Sequence, residues 1–162
     1  MRTLPGNMWG PANDAKNVLT RPAPDPSKGK IEVLATVENR PTEQYEQADL
    51  VWYYADGHMV KVGHEMVDGK ISVVMGREEN DRTRTMSINP VAATAVTLRF
   101  LVSSNRLNGF FRPRGERQWQ AAGECSLPVL SNTPPKIALQ FYQGPANSEH
   151  WARITEFRIN QE

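Results

Sequence analysis

Leu50-Val51-Trp52-Tyr53-Tyr54, Asp56-Gly57, Met59-Val60-Lys61-Val62-Gly63-His64-Glu65-Met66, Asp68-Gly69 and Ile71-Ser72-Val73-Val74-Met75 follow one another and decide the fold. Each apolar run is short and rich in β-branched and aromatic residues, and each Asp-Gly pair supplies the positive-φ residue that a tight hairpin needs. The stretch therefore predicts a three-strand antiparallel meander.

Working outward, Ile31, Val33, Ala35 and Val37 alternate with Glu32 and Thr36, and Val96, Leu98, Phe100 and Val102 alternate in the same way. A period of two marks half-buried strands. Further strands are expected at 85–88, 107–112, 117–122 and 136–142, the last buried on both sides. Between Trp151 and Ile159 the apolar phase changes from Ala152 and Ile154 to Phe157 and Ile159, which predicts a bulge near Thr155-Glu156. The polar run from Arg77 to Arg84 reads as a solvated loop. No segment keeps apolar spacing at three and four residues, so very little helix is expected. Nine or ten strands in one domain mean a sandwich.

The chain has 162 residues, 39% hydrophobic and 23% charged, with 19 basic and 18 acidic side chains. Area scaling gives a folded surface of roughly 8,000 Å², enough burial for one domain without disulfides or metals. Near-balanced charge leaves no broad footprint for nucleic acid, and no apolar run approaches the roughly 20 residues that cross a bilayer. The opening Met1–Gly6 lacks the apolar stretch of a signal peptide, as a processed secreted chain also would, so localisation is open. The lone Cys125 reads as a small buried thiol in a strand. Residues 1–162 are expected to form one domain, with 1–30 a loop-rich segment packed on the sandwich.

Trp9-Gly10-Pro11-Ala12-Asn13-Asp14-Ala15-Lys16-Asn17-Val18-Leu19-Thr20-Arg21, Tyr45–Tyr53, Val60-Lys61-Val62-Gly63 and the closing Gly144–Ile159 resemble the concanavalin A-like lectin/glucanase superfamily. The likeness is greatest to domains of the DUF1349 type and to the β-sandwich that follows the catalytic propeller in family 43 β-xylosidases. It implies an all-β jelly-roll sandwich of two antiparallel sheets serving carbohydrate binding or as a glycoside-hydrolase accessory domain. Such domains have a strand before the Trp-Gly loop, so Met1–Leu4 is expected to be its remnant or the strand to be missing. A missing strand would leave a sheet edge open to homo-oligomer formation.

Glycosidases on this fold use a Glu-x-Asp-x-x-Glu strand motif, because alternate strand residues flank one glycosidic bond. The chain has no such motif, no nucleophile elbow and no paired metal ligands, so a non-catalytic role is expected. The alternatives are a glycoside hydrolase or lyase whose site assembles only in three dimensions, and a structural interaction module. Sugar sites pair flat aromatics with planar hydrogen-bonding groups, on the concave sheet or its rim loops. Trp52, Tyr54 and Tyr142 are the candidate platforms, Trp52 either packing inward or lining the concavity with Tyr54, with ordinary core and cross-strand packing the alternative for each. Arg99, Gln140 and Arg153 are the polar groups expected to line the same sheet. His64 shares strand phase with Val60 and Val62: it packs and hydrogen-bonds if that row is covered, and touches ligand if the row is open. No other cofactor is expected, but the resemblance implies a structural Ca²⁺, for which Asn13, Asp14, Asp25 and Glu156 are the candidate oxygen ligands.

Overall fold

The computed structural model describes residues 1–162. Eleven strands follow in chain order: β1 (Asn17–Pro22), β2 (Ile31–Glu38), β3 (Gln47–Ala55), β4 (His58–Val67), β5 (Lys70–Glu79), β6 (Arg82–Pro90), β7 (Ala95–Ser103), β8 (Arg106–Pro113), β9 (Gln120–Ser126), β10 (Lys136–Tyr142) and β11 (Arg153–Gln161). They form two antiparallel sheets packed as a sandwich, a six-stranded sheet in the order β1-β10-β3-β4-β5-β6 and a five-stranded sheet in the order β11-β2-β7-β8-β9. There is no helix, and so none long and apolar enough to cross a membrane. The exposed area of 8165 Å² agrees with the size scaling.

Alternation places the core. On β2, Ile31, Val33, Ala35 and Val37 are fully buried while the residues between them are half-buried. They meet Leu98 and Phe100 of β7 and, from the other sheet, Leu50, Trp52, Val60, Val62, Met75 and Phe141. The meander forms as expected, with β3, β4 and β5 paired in sequence. The expected bulge is also present: pairing of β11 with β2 shifts between Ile154 and Glu156. Cys125 is buried in β9.

Two segments differ from the sequence reading. The Arg77–Arg84 run is not a loop, because β5 continues to Glu79 and β6 starts at Arg82, joined by Asn80 and Asp81 at φ 54° and 59°. Two adjacent positive-φ residues make the primed turn that matches strand twist, and Asn and Asp tolerate it better than other non-glycine residues. The charges that resembled a loop alternate between faces instead. The strand expected at 117–122 lies later, at 120–126; Trp119 falls before it, with the Arg99 and Arg112 guanidiniums 5.1 and 4.7 Å from its ring centroid.

The amino-terminal segment behaves as a strap. Residues 2–4 form single bridges to Trp151 and Tyr142, the next ten or so cross the outer face of the six-stranded sheet, and β1 then pairs with β10 as its edge strand.

Candidate functional site

The outer face of the six-stranded sheet carries Gln47, Asp49 and Val51 from β3, Met59, Lys61, Gly63 and Glu65 from β4, Val74, Gly76 and Glu78 from β5, and Ala138, Gln140 and Tyr142 from β10. Two glycines shape it. A Cβ on Gly63 would lie 1.7 Å from Asp49 Oδ1, and one on Gly76 would lie 2.4 Å from the Trp9 indole. Their missing side chains let the Asp49 carboxyl lie across β4 and the indole rest against β5.

Trp9 is aimed by its own segment. Asn7 Oδ1 accepts the backbone N–H groups of Met8 and Trp9 at 2.9 and 3.0 Å, Asn7 Nδ2 donates to the Trp9 carbonyl at 2.8 Å, and Asp14 Oδ1 accepts the Asn7 N–H at 2.8 Å. One residue on, the Gly10 N–H donates to Glu78 Oε1 at 3.0 Å. The ring so placed lies 5.0 Å from Lys61 Nζ, a cation–π distance.

Lys61 is the centre of a buried polar cluster. Its ammonium donates to Glu65 Oε2 at 3.1 Å and to Gln47 Oε1, lies 3.7 Å from Asp49 Oδ2, and has Tyr142 Oη 3.5 Å away. Burial opposes the lysine charge, but the Asp49 and Glu65 carboxylates together outweigh it and hold the ammonium above its ordinary range. Burial also pushes Asp49 up to about 7 against the pull of Lys61. With a proton on Asp49 the cluster is neutral, Lys61 balancing Glu65, which suits groups this deeply desolvated.

Glu78, also buried, is pushed up to about 7 chiefly by desolvation, with the Gly10 N–H opposing and Asp81 adding to it. Its Oε2 has no hydrogen-bond partner. The folded state keeps this proton to about pH 7, whereas the unfolded chain releases it near 4.5. The stabilising contribution is thus complete below 4.5 and is lost as pH rises through 7. Glu78→Gln, which retains the acceptor for Gly10, should match wild type in urea denaturation at pH 4 and exceed it by ~1–2 kcal/mol at pH 8. Equal midpoints at pH 8 would contradict this assignment.

Beside the cluster is a groove of about 530 Å³. Asn7 and Trp9 form one wall, Tyr45 and Gln143 stand at the rim, Gln47, Lys61 and Glu65 form the floor, and Val74, Thr85 and Ile88 close the far side. Tyr45 and Gln143 have φ 66° and 57°, unusual for large side chains. Backbone bonds hold both: the Tyr45 N–H donates to Met66 O at 2.8 Å, and the Gln143 N–H to Gly6 O at 3.1 Å. Backbone held in a sparsely populated region collects at ligand sites, and here two such residues face one groove. Lys61 occupies Oε2 of Glu65 and leaves its other oxygen for the groove. The arrangement offers flat aromatic faces at Trp9 and Tyr45 with polar groups between them.

The residues expected from sequence are dispersed. Trp52 is fully buried between the sheets and Tyr54 packs against the same core, because Leu50, Trp52 and Tyr54 share the inward phase of β3. Neither lines the groove: of the two alternatives, inward packing holds and the ligand-platform reading does not. His64 is also inward, its Nδ1 against the Asn39 side-chain amide and its Nε2 3.1 Å from Ala93 O. Burial pulls its pKa down to about 4, so it is a neutral core histidine. Gln140 and Tyr142 are on the outer face as required, but buried beneath the strap. Arg99 and Arg153 belong to β7 and β11 of the other sheet, so the expected polar row of Arg99, Gln140 and Arg153 does not exist. Arg99 pairs with Glu32 at 2.6 Å instead.

The four candidate calcium ligands are not brought together. Asn13 and Asp14 are neighbours in the strap, where Asp14 accepts from Asn7, but Asp25 accepts from Ser27 in the turn before β2, and Glu156 accepts from Thr36 midway along β11. Asp25 O is bonded to Gln161, five residues along β11 from Glu156, a separation of about 17 Å in extended chain. No group of three or more His, Cys, Asp or Glu side chains is placed to hold a metal ion.

What sequence reading missed is Trp9, Tyr45, Gln47, Lys61 and Glu65. Lys61 and Glu65 alternate with Val60, Val62 and His64, so their outward phase was readable; that a strap would bury Lys61 was not.

No family model matches the chain, and no curated protein sequence matches it. Solved structures do. The GH43 protein BlXynB from Bacillus licheniformis superposes with TM-score 0.85 at 14% identity, over 100% of this chain and 32% of that one. A xylan beta-1,4-xylosidase from Bacillus halodurans C-125 gives 0.72 at 19% identity, over 82% of this chain and 28% of that one. A functionally unknown protein from Saccharomyces cerevisiae gives 0.69 at 15% identity, over 90% of this chain and 73% of that one. The chain thus has the fold of a β-sandwich found within GH43 proteins, and spans about a third of the length of the BlXynB protein.

Proposed function

We propose that the chain is a non-catalytic carbohydrate-binding domain of the concanavalin A-like, DUF1349-type kind, accessory to glycoside hydrolysis, that takes a sugar or oligosaccharide in the groove between Trp9 and Tyr45. The observation that carries this reading is two aromatic side chains, one held at positive φ, flanking a floor of Gln47, Lys61 and Glu65. The apolar C–H face of a pyranose stacks on such rings, and its hydroxyls donate to a carboxylate oxygen or accept from amides. Likeness in fold to carbohydrate-active enzymes supports the ligand class.

The charge arrangement favours binding over hydrolysis. Asp49 and Glu65 converge on Lys61, but Asp49 is 1% exposed and does not line the groove. A hydrolytic pair needs both carboxyl groups within reach of one glycosidic bond.

Calorimetric titration against a glycan panel that includes xylo- and arabino-oligosaccharides tests the reading. Tyr45→Ala, which removes a half-exposed ring, should weaken binding by roughly 3- to 10-fold, and Trp9→Ala by at least as much. Trp9 also covers Gly76, so its thermal midpoint is measured alongside. Absence of binding to every glycan, or affinity unmoved by Tyr45→Ala, would overturn the assignment.

A further inference from the structure

A second groove, of about 510 Å³, lies at one end of the sandwich between the segment after β2 and the segment before β11. Arg40, His150, Trp151 and Arg153 line it together with Glu38 and Glu149. The two acids are already engaged, Glu38 by Arg114 at 3.0 Å and Glu149 by Arg2 at 3.3 Å. Arg40 and Arg153 form no ion pair of their own, although Glu38, opposite Arg153 across the β2–β11 pairing, is near enough to feel both charges, and both side chains are exposed. Trp151 is 61% exposed, although its backbone is fixed by a bridge to Arg2. A large, flat aromatic left mostly exposed on fixed backbone beside two guanidiniums that form no ion pair is available to a ligand.

The groove wall is built rather than incidental. Buried Glu46 accepts from Thr3 Oγ1 at 2.6 Å, from the Thr42 N–H at 2.8 Å and from His150 Nδ1 at 3.0 Å. The Thr3 N–H donates to the His150 carbonyl at 3.1 Å. A histidine whose Nδ1 proton is held by a carboxylate presents Nε2 as an acceptor when neutral and as a donor when charged.

We propose that this groove binds the carboxylate-bearing sugar of an acidic glycan, a hexuronic acid residue. Arg40 and Arg153 grip the carboxylate, the sugar ring stacks on Trp151, and His150 meets a hydroxyl. Guanidinium matches a planar carboxylate through paired N–H donors, which separates this ligand from a neutral sugar, and the indole face separates it from a bare anion. The site extends the carbohydrate-binding reading to a second surface and does not depend on the Trp9 groove.

Titration of the full chain with oligogalacturonates and glucuronic acid-bearing oligosaccharides, beside their neutral counterparts and sodium sulfate, tests it. The acidic glycans are expected to bind about tenfold or more tighter than the neutral ones. The double variant Arg40→Gln/Arg153→Gln should lose about tenfold, and Trp151→Ala roughly 3- to 10-fold, with circular dichroism spectra unchanged. Tyr45→Ala should leave hexuronate binding intact. Equal affinity for acidic and neutral glycans, indifference to the arginine double variant, or sulfate binding as tightly as hexuronate would overturn the proposal. Loss of hexuronate binding in Tyr45→Ala would place the acid in the first groove and overturn it too. If neutral glycans bind and lose affinity in Tyr45→Ala while hexuronates do not bind, this proposal fails and the first groove stands.

Discussion

Gly63→Ala is expected to destabilise the protein by about 3–4 kcal/mol, an unusually large effect for the addition of one methyl group. The new Cβ would stand 1.7 Å from Asp49 Oδ1 and 2.7 Å from its Cγ. Asp49 has a short side chain, fully buried, with Gln140 opposite it on β10 and Lys61 beside it, so the carboxyl has nowhere to turn. Either the contact between Asp49 and Lys61 breaks inside the sheet or the β3–β4 ladder moves. Removing the obstacle should restore much of the loss, so Gly63→Ala in an Asp49→Ala background is expected to cost less than about 1.5 kcal/mol. Urea denaturation of the two single variants and the double variant measures the coupling. A neutral Gly63→Ala would show that Asp49 does not lie across β4.

Lys61→Met should cost about 3–5 kcal/mol at pH 8, because it removes the one cation between Asp49 and Glu65 while keeping the bulk of the side chain. Without the ammonium both buried carboxyl groups are disfavoured as anions, and the rise that burial already imposes on Asp49 is no longer opposed. Stability of the variant then falls as pH rises, and the deficit should shrink at pH 5, where protons replace the lost charge. Combining Lys61→Met with Glu65→Gln should recover part of the deficit at pH 8. A deficit of the same size at both pH values would mean that the carboxylates are solvated and the cluster is open.

These two effects rest on features of unequal legibility. The sandwich was readable because its signals are local: alternation in Ile31–Val37 and Val96–Val102, Asp-Gly turns in the meander, and the phase break before Phe157. Arg77–Arg84 was misread because a strand bearing charge on both faces near the end of a sandwich has the composition of a loop; only pairing with β6 and the Asn80-Asp81 turn distinguish it. The site was harder to read. Phase alone puts Trp52 inward with Leu50 and Tyr54, yet aromatic content drew attention to it as a platform. Trp9 becomes a groove wall only because the strap crosses β5 at Gly76, a contact some 67 positions away in sequence. Likewise Gly63 gains its meaning from Asp49 on the neighbouring strand. Arg153, picked out for one polar sheet, lies on the other and lines a different groove.

The proposed seat of the sugar is the groove walled by Trp9 and Tyr45. Nitrogen-15 correlation spectra of the labelled protein, recorded while the tightest-binding neutral oligosaccharide is added, test it most directly. The Trp9 indole N–H, the Gln143 side-chain amide and the backbone of Tyr45 and Glu65 should shift together along one binding curve, while Arg99 on the opposite sheet and Trp119 beside it stay fixed. Shifts confined to the five-stranded sheet, or spectra that do not change at saturating glycan, would contradict it.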